Sequence, residues 1–134
     1  MGITLSQAEA VVAAAKRRAD ALGIPISVAV VDLGGNLVAF ACQDGAMLVS
    51  RDLAVGKAYT AVALQMPTSA VTAAVQPGGP FFNLEVSHAA RPLVTFGGGH
   101  PLGEPLAGAV GVSGGTLAQD EDIVAAAVGG YVSA

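Results

Sequence analysis

Two histidines, His88 and His100, one cysteine, Cys42, and six cations, Lys16, Arg17, Arg18, Arg51, Lys57 and Arg91, are the ionisable nitrogen and sulfur side chains open to acid–base, nucleophilic or ligand chemistry. His100 lies in FGGGHPL, where an imidazole suited to proton transfer or ligation follows three glycines and precedes a proline. Glycine allows close backbone approach and proline fixes one dihedral, so the stretch reads equally as a tight turn with a surface histidine or as a ligand loop in which Gly98 and Gly99 admit a substrate. Asp32 opens the turn Asp32-Leu33-Gly34-Gly35-Asn36, where a carboxylate accepts local backbone hydrogen bonds. Placed near Lys57, it would instead form a pair in which each group tunes the other's pKa. With His100 as proton carrier, such a pair could act on a small organic acid or carbonyl compound, and Arg51 and Arg91 would clamp the carboxylate. The junction Gly111-Val112-Ser113-Gly114-Gly115 reads either as a packed turn or as an anion nest of backbone N–H groups around Ser113. Cys42 ends an apolar strand and reads as packing. The spacings make no clustered zinc set, no CxxCH for covalent haem attachment and no GxSxG elbow.

The elements that must position these residues follow from periodicity. Thr4-Leu5-Ser6-Gln7 has capping-box spacing, and Leu5, Ala8, Val12, Ala15, Ala19 and Leu22 recur at helical steps until Gly23 and Pro25 stop the helix. Ile26 to Val31 reads as a central strand, and the Asp32–Asn36 turn returns the chain as a second strand, Leu37 to Cys42. Ser50 caps a predicted helix over Arg51–Leu64 with a small face suited to close packing. Pro67 ends it, and Thr68 opens a predicted short helix to about Val75. Phe81 to Ala90 has no clear period. Pro92 to Phe96 is predicted as a strand, FGGGHPLGE as the turn after it, and Pro105 to Val112 as a final strand. A last helix is predicted from Thr116 or Gln119, with Asp120, Glu121 and Asp122 in its first turn, where the helix dipole favours carboxylates. The order α-β-β-α-α-β-β-α predicts one α+β domain over residues 1–134, an antiparallel sheet packed with helices.

At 134 residues the chain is long enough to bury a core without staples, and its single cysteine allows no internal disulfide. No stretch has the form of a secretory leader or reaches the roughly 18 to 20 apolar residues of a membrane helix, so the expected compartment is the cytoplasm. A net charge of −4 argues against a nucleic-acid partner. Charged residues make up 12% of the chain against 53% apolar ones, too few to cover a lone small domain, which predicts a homo-oligomer.

Four segments in order carry a resemblance along nearly the whole chain. They are Val30-Val31-Asp32-Leu33-Gly34-Gly35-Asn36-Leu37-Val38; Asp44-Gly45-Ala46 with Ser50, Ala54, Lys57-Ala58 and Thr60-Ala61; Gly97 to Leu102; and Gly108 to Gly115 with Gln119-Asp120. Together they resemble the GlcG/HbpS-like family. The resemblance implies a profilin-like domain, usually oligomeric, whose members include haem-binding proteins and the haem-binding C-terminal domain of a cobalamin adenosyltransferase. It also implies haem or a related tetrapyrrole as the ligand. An axial donor is then required, with His100 and His88 the first candidates and Cys42, Met47, Met66, Tyr59 and Tyr131 further ones. The chain departs from the family in two places: Ala41-Cys42 occupy a position where arginine is frequent, and His100 stands where an aliphatic residue is common. The alternative function is a cofactor-independent hydratase, isomerase or lyase built on His100.

Overall fold

The computed structural model describes residues 2–133. Helix α1 spans Leu5–Leu22, strands β1 and β2 span Ser27–Asp32 and Leu37–Cys42, helix α2 spans Val49–Leu64, strands β3 and β4 span Gly99–Leu102 and Gly108–Ser113, and helix α3 spans Leu117–Gly129. The four strands form one antiparallel sheet in the order β2-β1-β4-β3. Three helices pack on it, as an α+β fold requires.

Local chemistry sets the helix ends. Thr4 Oγ1 accepts from the Gln7 amide at 3.1 Å while Gln7 Oε1 accepts from the Thr4 amide at 2.9 Å, and Gly23 closes α1 in the left-handed region at φ 72°. The same reciprocal box, Thr116 with Gln119, starts α3.

Strand alternation then divides the core. Val28, Val30, Val110 and Val112 face α1 and α3, where they meet Val11, Ala15, Ile123 and Ala127. Ala29, Val31 and Ala109 face α2 and meet Ala54, Ala58 and Ala61. A fully buried Val or Ile contributes about 1.5–3 kcal/mol, so the first layer supplies most of the burial energy. The second layer trades bulk for proximity: a Cβ on Gly111 would run into the α2 backbone at Ala54 and Ala58, so glycine there lets α2 lie directly on β4.

Four sequence expectations change. Pro92 to Phe96 is irregular rather than a strand, because its backbone bonds go to side chains: the Val94 amide donates to Thr60 Oγ1 at 2.8 Å, and the Thr95 carbonyl accepts from Thr72 Oγ1 at 2.6 Å. The predicted FGGGHPLGE turn instead contains β3, whose residues Gly99 to Leu102 pair with Gly111 to Gly108. Pro101 is tolerated because β3 is an edge strand. The predicted helix from Thr68 to Val75 is two 3-10 turns, Thr68–Ala70 and Thr72–Val75. Ser50 does not cap α2, which begins at Val49; its hydroxyl is buried against Ser27 Oγ at 2.8 Å and bonds the Met47 carbonyl.

Candidate functional site

Lys57 projects from α2 between Ala54 and Ala58 and is the largest side chain with no exposure at all. Its ammonium donates to the Val112 carbonyl at 2.9 Å and to Asp120 Oδ2 at 3.1 Å, and the Phe96 ring centre lies 5.1 Å away. Asp120 Oδ1 accepts from the Gly115 amide at 2.9 Å, and Glu121 Oε1 accepts from the Gly98 amide at 2.7 Å. Gly98 passes over the ammonium at φ 120°, and a Cβ there would stand 2.6 Å from Lys57 Nζ. The group therefore ties α2, the end of β4, the glycine run and the first turn of α3 together. Burial pushes the lysine below its ordinary pKa, opposed by the neighbouring Asp120 carboxylate and, more weakly, by Glu121. Beside the pair opens a small cleft of about 150 Å³, lined by Ser113, Gly114 and Asp120 and by the apolar Met47, Phe96 and Leu117.

The sequence-predicted site residues do not converge. Asp32 is not the partner of Lys57: its carboxylate accepts from the Gly34 and Asn36 amides, each at 2.9 Å, and these bonds, that of Asn36 first, hold it below the usual carboxylate range. His100 pairs with Val110 on the α1/α3 side of the sheet, whereas its neighbour Gly99 faces Lys57 and Thr68 on the other side. The sheet thus separates His100 from Lys57. His88 is exposed in the turns before Arg91. The predicted nest is filled from within, since Asp120 takes the Gly115 amide and Gln119 takes that of Thr116; Ser113 is buried at the end of β4. Arg51 is exposed at the start of α2, and Arg91 lies 3.8 Å above the Tyr59 ring, donating to the Gly35 carbonyl.

From sequence Asp120 carries only a helix-dipole role, and its bond to Lys57 is not legible there. The periodicity signals only the lysine's half: Lys57 falls within the inward stripe Ala54, Ala58, Ala61, so it must point at the sheet and find an anion there.

Cys42 is half-buried at the end of β2, where Ser27 first and Arg51 second hold its thiol below the ordinary value. Since the thiolate is the nucleophile, alkylation by iodoacetamide should rise with pH through that lowered value. Arg51→Ala should move the inflection of the rate–pH profile upward; an unmoved inflection contradicts the contact.

Among the described residues no group of three or more His, Cys, Asp or Glu stands ready for a metal ion, and no helix is long and apolar enough to cross a membrane.

The model of one protein family, described as haem degrading protein HbpS-like, matches residues 3–129. The chain is 39% identical over 130 residues to corrinoid adenosyltransferase PduO of Citrobacter freundii, covering 96% of this chain but only 38% of that protein. Among solved structures, the PduOC–haem complex matches with a TM-score of 0.91 and 37% identity, over 97% of this chain and 95% of that one. HbpS of Streptomyces reticuli, solved as a double mutant, matches with a TM-score of 0.86 and 30% identity, over 96% of this chain and 86% of that one.

Proposed function

Because the chain belongs to the family of haem-degrading HbpS-like proteins, we propose that it binds haem or a related tetrapyrrole, as a homo-oligomer, with His100 as the axial donor. The observation that carries the assignment to His100 is the 2.8 Å contact between its Nδ1 and the Pro101 carbonyl. A carbonyl only accepts, so the contact places the ring proton on Nδ1 and leaves Nε2 with a lone pair, the arrangement of a histidine prepared to ligate a metal. His100 is half-buried on the edge strand, paired with Val110, and among the described residues no strand lies beyond β3, so its ring sits at an open edge of the sheet. The donor chemistry fits a haem iron, which needs one or two axial ligands in mainly apolar surroundings. Bound there, haem would supply an iron centre for ligand exchange or redox chemistry; the chain's own part is to hold the imidazole tautomer and exclude water from one face. His88, exposed and without such a contact, is the weaker donor. The matched haem complex of a relative supports the ligand class.

The alternative enzyme, a hydratase, isomerase or lyase, needs His100 at one substrate with Arg51, Lys57 or Arg91; Lys57 lies across the sheet from His100 and the cleft lined by Arg91 does not contain it, which counts against this reading.

Oligomerisation is supported by the surface. Met47, Leu48 and Val49 are consecutive and exposed, Leu48 to 81%, with Phe40 and Leu117 also exposed. Sedimentation at micromolar concentration should give a mass that is a multiple of the 13.1 kDa chain; a monomer overturns this part of the proposal.

A further inference from the structure

We propose that the cleft between α2 and residues 90–94 is a second binding site, selective for a small organic monocarboxylate and independent of the tetrapyrrole proposed at His100. The cleft measures about 510 Å³, within the range of small-molecule sites. Its cation is already in place: the Arg91 guanidinium lies flat on Tyr59 at 3.8 Å and donates to the Gly35 carbonyl. That is its single hydrogen bond among the described residues, so most of the five N–H donors of a guanidinium are left for a carboxylate, which it can hold through two parallel bonds. The clasp is closely built. A Cβ on Gly35 would stand 2.8 Å from the Tyr59 ring, and the Val94 wall is tied to α2 through Thr60.

Val55, Pro92 and Val94 give the cleft an apolar lining, and a Cβ on Gly56 would stand 2.7 Å from Val94 Cγ2. Asp52 lies at the far end, seven residues before Tyr59 on the same helix and so roughly 10 Å along its axis. One end of the cleft is therefore cationic and the other anionic. A ligand with one carboxylate and a flat apolar body satisfies both ends; a second carboxylate opposite the first would meet Asp52.

Calorimetric titration with benzoate, and with terephthalate as the matching dicarboxylate, tests this on the full chain. Benzoate should bind saturably, terephthalate several-fold more weakly, and Asp52→Asn should narrow that difference. Arg91→Gln should weaken benzoate by at least about tenfold, the scale of one charge-assisted contact. Ala90→Trp, which fills the cleft from an exposed position and leaves Arg91 intact, should also abolish binding, whereas His100→Ala should leave it unchanged. Non-saturable binding, equal affinity in Arg91→Gln, equal affinity for the two acids, or displacement of benzoate by haemin would each overturn the proposal.

Discussion

Asp120→Ala should destabilise the protein by about 3–5 kcal/mol, the cost of stranding a buried charge. Lys57 is wholly buried and the Asp120 side chain is 6% exposed. Without the carboxylate, the ammonium keeps the Val112 carbonyl, the Phe96 face and the weaker attraction of Glu121, and the Gly115 amide loses its acceptor as well. Lys57→Met should cost less, because the remaining carboxylate keeps the Gly115 amide and sits in the first turn of α3, where the helix dipole favours it. Replacing both residues with apolar ones should recover much of the Asp120→Ala loss, since a buried ion pair is weak evidence of net stability. A control lies on the surface. Arg18 and Asp122 approach to 2.7 Å, closer than the buried pair, yet each side chain is 42% exposed, and breaking them should cost far less than breaking the buried pair. Burial, not distance, decides the difference.

The same pair predicts a pH effect. With the folded pKa of Lys57 below the unfolded one, the folded state binds fewer protons across the interval between them, so the contribution of this group to stability rises as pH increases through it. Urea titrations of the parent and Lys57→Met across the alkaline range should show this slope only in the parent. An Asp120→Ala cost close to that of the surface pair contradicts the assignment of Lys57 as a buried charge whose main counterion is Asp120.

How far the sequence reaches is clearest at particular residues. The boxes at Thr4 and Thr116, the Asp32–Asn36 hairpin and the close helix on β4 are legible because each is set by residues within a few positions. Strand β3 is not. Gly99-His100-Pro101-Leu102 carries turn residues, and it becomes a strand only because Gly111 and its neighbours on β4 lie opposite. The reverse holds for Pro92 to Phe96, whose apolar run looks like a strand but whose backbone is captured by the hydroxyls of Thr60 and Thr72. The candidate sites show the same limit. That Lys57 points inward is legible from its helix face; that it meets Asp120, 63 residues on, rather than Asp32 depends on the α3 terminus arriving beside β4. Arg91 over Tyr59 and the Nδ1 contact of His100 are likewise set by tertiary placement or rotamer.

Haemin binding measured at the Soret band is the other large effect. A ligand whose iron is held through His100 Nε2 should lose its axial bond when the imidazole is removed, while the half-buried position of His100 means that alanine there removes little packing. His88→Ala removes an exposed side chain and should leave the complex intact. Circular dichroism of both variants would show whether the fold is retained.

The most direct test is therefore one titration series, with haemin added to the parent protein, His100→Ala and His88→Ala and the Soret band followed to saturation. A saturable shift is expected in the parent and in His88→Ala and none in His100→Ala. An undiminished shift in His100→Ala, or no saturable shift in the parent, contradicts haem ligation by His100.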